Sequence, residues 1–230
     1  MPVKLPPVER APVELLPTDA LLVIDMQQDF LPREAGFTGA LGVAGGGDIV
    51  AGINALAQRF DHVILTQDWH PRGHISFASS HPGKQPFGTI EAPYGTQALW
   101  PDHCVQGTAG AELAVAISHA ELILRKGFRR QIDSYSAFTE NDGVTSTGLS
   151  GYLKERGLQR LFFVGLAYDF CVGFSALAAA QLGYEAIVLE DLTRAVALPH
   201  TVEDTNAAFA AAGIARLHSS VVASASRHDG

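Results

Sequence analysis

A cysteine where a strand gives way to a helix is a candidate nucleophile, and Cys171 occupies such a junction. In Leu161-Phe-Phe-Val-Gly-Leu-Ala-Tyr-Asp-Phe-Cys171-Val-Gly an apolar strand pattern passes through a short polar turn into a small-residue helix pattern. Unpaired amide N–H groups and the positive end of a helix dipole lower a thiol pKa there and can hold an oxyanion. A buried structural cysteine is the alternative, since free Cys is among the most buried residue types. Two other charged side chains are expected at strand ends on the same sheet edge. Asp25 closes Ala20-Leu-Leu-Val-Ile-Asp25, and Lys126 follows Glu121-Leu-Ile-Leu-Arg. A carboxylate, an ammonium and a thiol meeting from three strand ends make a workable nucleophile site. Asp25 would accept the thiol proton and Lys126 would stabilise the anions.

A second constellation begins in Thr66-Gln-Asp68-Trp-His70-Pro-Arg-Gly-His74. Asp68 and His70, at i and i+2, face one side of an extended segment. His103, in Leu99-Trp-Pro-Asp-His103-Cys-Val, can close the site from the far end of a long loop. His74 is either a fourth ligand or a neighbour that supports the others. Mixed oxygen and nitrogen donors suit Zn²⁺, Fe²⁺ or Mn²⁺. Loop histidines that merely cap turns are the competing interpretation for each one taken singly.

Positioning these groups requires a parallel sheet. Short apolar runs alternate with helix-period segments, the pattern of βαβ units. Strands are expected at 20–25, 62–67, 121–125, 160–165, 185–189 and 214–218. That gives an α/β fold with about six mostly parallel strands. Ile49, Ile53, Leu56 and Phe60 share one helical face; Val202, Phe209 and Ala212 share another. A helix after Cys171 would carry Val172, Ala176, Ala179 and Leu182, with Asp169 as its N-cap. Residues 68–110 show little strand or helix period, and a loop that long in a compact domain is usually functional. Gly42-Val-Ala-Gly-Gly-Gly47 lacks the spacing of a phosphate loop and reads as flexible.

A length of 230 residues suits a single domain over 1–230, with 1–17 an extended, proline-interrupted N-terminal arm. That arm has no apolar signal-peptide core, and no run reaches the roughly 18 residues that span a bilayer. A net charge of -8 disfavours nucleic acid or anionic membrane as partner and points to a small-molecule substrate. The only two cysteines, Cys104 and Cys171, are expected as free thiols in a cytoplasm. Oligomeric state is open, a homo-oligomer included.

From Ala20 to His218 the chain resembles the nicotinamidases of the isochorismatase-like cysteine hydrolase superfamily. The resemblance rests on Val-Ile-Asp25-Met-Gln-Gln-Asp-Phe30, Asp68-Trp-His70-Pro-Arg-Gly-His74-Ile-Ser-Phe, Trp100-Pro-Asp-His103-Cys-Val, Lys126-Gly and Gly165-Leu-Ala-Tyr-Asp-Phe-Cys171-Val. It implies a three-layer α/β/α, Rossmann-like topology. It implies Asp25, Lys126 and Cys171 as a catalytic triad and Asp68, His70 and His103 as metal ligands. The backbone N–H groups of Ala167 and Cys171 would form the oxyanion hole, after a cis Leu166-Ala167 peptide. Phe30 and Trp100, with Tyr135, would wall the pyridine ring. The implied activity is conversion of nicotinamide to nicotinate and ammonia, in NAD salvage, through a thioester. Another amidase of the superfamily, acting on a carbamoyl or ureido compound, would keep the triad but have less use for the metal group. A noncatalytic metal- or ligand-binding module would need neither Cys171 nor Lys126.

Overall fold

The computed structural model describes residues 12–223. Six strands form one sheet: β1 (Asp19–Ile24), β2 (His62–Asp68), β5 (Leu122–Lys126), β6 (Arg160–Leu166), β7 (Glu185–Arg194) and β8 (Ala215–Leu217). Their order is β5-β2-β1-β6-β7-β8, and every pairing is parallel. Alternate residues serve the two faces, as the period of two requires. On one face Leu21, Val23, Val63, Phe162 and Val164 pack with Ile53, Leu56 and Ala57 of helix α1 (Val50–Ala57). On the other, Ala20, Leu22, Ile24, Ile64 and Phe163 meet α2 (Leu149–Glu155), α3 (Gly173–Gln181) and α4 (Thr201–Ala212) through Leu149, Leu153, Ala176, Ala179 and Phe209. The result is the expected α/β/α sandwich with both sheet faces covered.

Strand order reverses between β1 and β6, since the chain runs outward through β2 and β5 and then returns to build β6, β7 and β8. Beyond the carboxyl ends of these two strands lies the crevice where open α/β sheets collect ligands. Asp25 follows β1 there, and Cys171 follows β6.

Several expectations are corrected. Strand ladders continue past the apolar runs, so that Asp68 and Lys126 still pair at the ends of β2 and β5. β7 extends through Glu190 and Asp191 to Arg194 across a register shift opposite Phe163 and Gly165. Leu182 lies beyond α3 and is exposed, and Ala212 is exposed at the end of α4. The stretch 68–110 holds a hairpin, β3 (Thr89–Ala92) with β4 (Gly95–Ala98), and is stitched by bridges at His70–Val105 and Phe77–Trp100. Its strands, four residues each, are too short for a period to stand out. Of the N-terminal arm, residues 1–11 lie outside the described residues. Val13 bridges Val222 and packs on the core.

Candidate active site

Lys126 is the hub of the crevice. Its buried Nζ lies 2.8 Å from Asp25 Oδ2, 2.5 Å from Asp68 Oδ1, 2.9 Å from the Ser134 carbonyl and 3.3 Å from Cys171 Sγ. Asp25 takes a left-handed φ of 47°, unusual for a residue other than glycine, which turns its carboxylate into the site. Thr66 Oγ1 donates to Asp25 Oδ1 at 2.6 Å and accepts from the Asp25 N–H at 3.0 Å. Asp25 Oδ2 has the Lys126 ion pair but no well-directed hydrogen bond, and one oxygen of this buried carboxylate lies within 4.8 Å of the thiol sulfur. Burial pushes the Asp25 carboxyl up in spite of Lys126. Burial alone would lower Lys126, yet the carboxylates of Asp25 and Asp68 hold it well above the lysine range.

The thiol departs from expectation. α3 begins at Gly173, two residues past Cys171, which itself lies in a wide turn over Tyr168–Val172. The Ala167 carbonyl closes that turn by accepting from the N–H groups of Phe170 and Val172, each at 3.0 Å. Burial pushes the Cys171 thiol well up, Lys126 opposes this, and the charges of Asp25 and Asp68 add to the rise. These surroundings favour the neutral thiol over the thiolate, so a base is called for. Asp169 does not cap the helix either; its carboxylate accepts from Val196 N, Ala197 N and Thr201 Oγ1 and so ties down the segment after β7. The Leu166-Ala167 peptide is cis, as expected.

Beside Lys126, three donor atoms converge. Asp68 Oδ2 lies 3.4 Å from His70 Nε2 and 3.9 Å from His103 Nε2. His70 Nδ1–H donates to the Gly127 carbonyl at 2.8 Å, and His103 Nδ1–H to the Pro101 carbonyl at 2.8 Å. A carbonyl only accepts, so both rings carry a proton on Nδ1 and turn Nε2 inward, as metal-ligating histidines do. Against burial, the charges of Lys126 and His70 hold the Asp68 carboxyl well below the usual range. Burial and neighbouring His70 lower His103 to about 4, keeping it neutral. Burial would lower His70, but the Asp68 carboxylate beside it raises it. One carboxylate and two imidazoles, all buried and with their ligand atoms within 4.8 Å of one another, fit a divalent transition metal, which would take His70 in its neutral form. His74 is placed differently: Nδ1 meets Ser76 Oγ at 2.7 Å, Nε2 donates to the Ile132 carbonyl at 3.1 Å, and its ring stacks on His70 at 4.2 Å. Both of its nitrogens are engaged by protein.

An isochorismatase domain matches residues 19–224. The nicotinamidase of Acinetobacter baylyi is 50% identical over 202 residues, covering 87% of this chain and 92% of that protein. This chain belongs to the isochorismatase family, among its nicotinamidases. The structure of an Acinetobacter baumanii nicotinamidase/pyrazinamidase superposes with a TM-score of 0.86 at 48% identity, covering 90% of this chain and 99% of that one. A Pyrococcus horikoshii pyrazinamidase in complex with zinc superposes at 0.71 with 30% identity, covering 87% of this chain and 99% of that one.

In this nicotinamidase the space above the thiol and the three donors is walled by aromatic rings. Phe30, Trp100 and Tyr135, all expected, line it with Ala167, and so does Phe170, an unexpected member that adjoins Cys171. Trp100 and Phe170 meet edge to face at 4.9 Å, and Trp100 Nε1 donates to Tyr135 Oη at 3.2 Å. Gln97, from the unforeseen hairpin, donates to the same Oη at 2.9 Å and to Asp133 Oδ2 at 3.0 Å. Asp133 also lines the pocket. It lies in the irregular stretch 127–134, where no period marks it. Thr66 was hidden among the apolar residues of β2.

Proposed function

We propose that this nicotinamidase hydrolyses nicotinamide to nicotinate and ammonia through a thioester on Cys171, serving NAD salvage in the cytoplasm. The observation that carries the mechanism is Lys126 Nζ set between Asp25, Asp68 and Cys171. Asp25 Oδ2 takes the thiol proton as sulfur attacks the carboxamide carbon. Its raised pKa makes it a better base than a solvent-exposed carboxylate. Lys126 offsets the negative charge passing between sulfur and carboxylate. The N–H groups of Ala167 and Cys171 receive the oxyanion; each such donor is worth about 3 kcal/mol of barrier. The Asp25 proton then goes to the departing nitrogen, which leaves as ammonia. Water next gives a proton to Asp25 and attacks the thioester carbon. Collapse breaks the C–S bond, the departing sulfur recovers its proton from Asp25, and the nicotinic acid formed gives up its own proton to water as nicotinate.

Asp68, His70 and His103 would hold a divalent ion, Zn²⁺ or Fe²⁺, with Mn²⁺ also accommodated by the donor set. When bound it supplies an electrophilic anchor for the ring nitrogen. Phe30, Trp100 and Tyr135 sandwich the ring and exclude water. His74 supports His70 by stacking.

Ammonia release from nicotinamide by the metal-loaded protein tests this reading. Steady release by the wild type, lost in Cys171→Ala with substrate binding retained, is the expected result. No release from the wild type would discard nicotinamide as substrate, and full activity in Cys171→Ala would discard the thioester.

A further inference from the structure

Two side chains of the segment Asp25-Met-Gln27-Gln-Asp29-Phe30 have no place in the chemistry above, yet both are buried and both reach the metal-binding segments. Gln27 acts as a neighbouring strand would. Its Oε1 accepts from the Asp68 N–H at 2.8 Å, and its Nε2 donates to the Asp68 carbonyl at 2.8 Å and the Ala111 carbonyl at 3.0 Å. The main chain of Asp68 is thereby held on both sides of its Cα. Asp29 acts on the opposite ligand. Its Oδ2 accepts from the Cys104 N–H at 2.8 Å, which belongs to the peptide joining His103 to Cys104. Thr38 Oγ1 donates to Asp29 Oδ1 at 2.7 Å and fixes the carboxylate.

The surroundings are fitted to this contact. Cys104 adopts a left-handed φ of 46°, which a residue with a side chain holds only when neighbours over-determine it. Its carbonyl accepts from the His70 N–H at 3.1 Å, so the peptide Asp29 grips is one residue from the main chain of His70. At Gly110 a Cβ would lie within 2.4 Å of three Asp29 carboxyl atoms, so the absence of a side chain there gives the carboxylate its room.

We propose that Gln27 and Asp29 are positioning residues of the metal site. From one loop after β1 they hold the main chain at Asp68 and at the His103–Cys104 peptide, so that ligands from separate segments converge before the ion arrives. The same loop carries Asp25 and Phe30, and it therefore sets metal ligands, base and ring wall in one frame. This rests on the assignment of Asp68, His70 and His103 as ligands.

The test is the zinc dissociation constant, from competition with a chromophoric chelator, with thermal unfolding of the metal-free proteins in parallel. Partners that orient ligands typically contribute 10- to 100-fold in metal affinity, so Gln27→Met and Asp29→Ala are each expected to weaken zinc by about that factor. Asp29→Asn keeps an oxygen for the Cys104 N–H and is expected to bind zinc within about threefold of wild type. Thr38→Val, at an exposed position, frees the carboxylate and is expected to fold as wild type and to weaken zinc severalfold. Wild-type affinity in Gln27→Met and Asp29→Ala, or equal loss in Asp29→Asn and Asp29→Ala, would overturn the proposal. If the first two variants fail to fold, unchanged affinity in Thr38→Val overturns it. A wild type that binds no zinc would overturn the ligand assignment itself, and this inference with it.

Discussion

The identities of Asp25, Lys126 and Cys171 were legible because each is a polar residue ending an apolar strand or following one. The electrostatic state of the thiol was not. A helix N-terminus would have lowered its pKa, but burial beside two carboxylates governs instead, and Lys126 only opposes the rise. This has a testable consequence with two opposite signs. Asp25→Asn removes a negative charge that raises the Cys171 pKa, while Lys126 stays. Iodoacetamide alkylation of Cys171, followed as a function of pH, is expected to show a lower apparent pKa in Asp25→Asn than in wild type. Turnover is expected to move the other way, falling roughly a hundredfold to ten-thousandfold with loss of the proton acceptor. A variant whose thiol pKa is unchanged would remove Asp25 from contact with the sulfur, and one that retains turnover would remove it as the base.

At the level of elements, the apolar periods located all six strands of the sheet, while their ends drifted because backbone pairing outlasts the hydrophobic run. Lys126 and Asp68 face each other as the last pair of β5 and β2, which no periodicity reveals. The hairpin over 89–98 escaped because strands of four residues are too short for an alternation to stand out. The end of β6 is the most demanding junction. Gly165 pairs with Ile24 at a φ of 105°, and a Cβ there would lie 2.1 Å from the Ile24 carbonyl oxygen. The obstacle is backbone of the central strand, one residue before Asp25, so no rotamer relieves it. Gly165→Ala is expected to cost about 2–4 kcal/mol, from the left-handed conformation and the forced separation of β1 and β6. For a chain of this size that is a fall of roughly 5–15 °C in Tm. Thermal unfolding checks it, and an unchanged Tm would mean that the two strands part at this end without cost.

Over the whole molecule, the sheet reverses its order between β1 and β6, and the groups that matter come from distant stretches of chain. Asp68 ends β2, His70 follows it, and His103 returns from beyond a hairpin; only His70 N–Cys104 O and a few such bonds tie the last to the first two. A single ion holding all three would therefore close a loop of more than thirty residues and stabilise the folded state by mass action. At free metal a thousandfold above Kd that amounts to about 4 kcal/mol. With a Tm sensitivity of about 2–4 °C per kcal/mol, chelation is expected to lower Tm by on the order of 10 °C, and added zinc to restore it. His70→Ala should abolish the zinc-dependent part of the shift. His74→Ala should lower Tm with and without metal but keep the difference, because both of its nitrogens are bound by Ser76 and Ile132 rather than turned to Asp68. A zinc-dependent shift that vanishes in His74→Ala as fully as in His70→Ala would instead place the ion in the neighbouring group of His70, His74 and Asp133, and so take Asp68, the ligand paired with Lys126, out of the metal set.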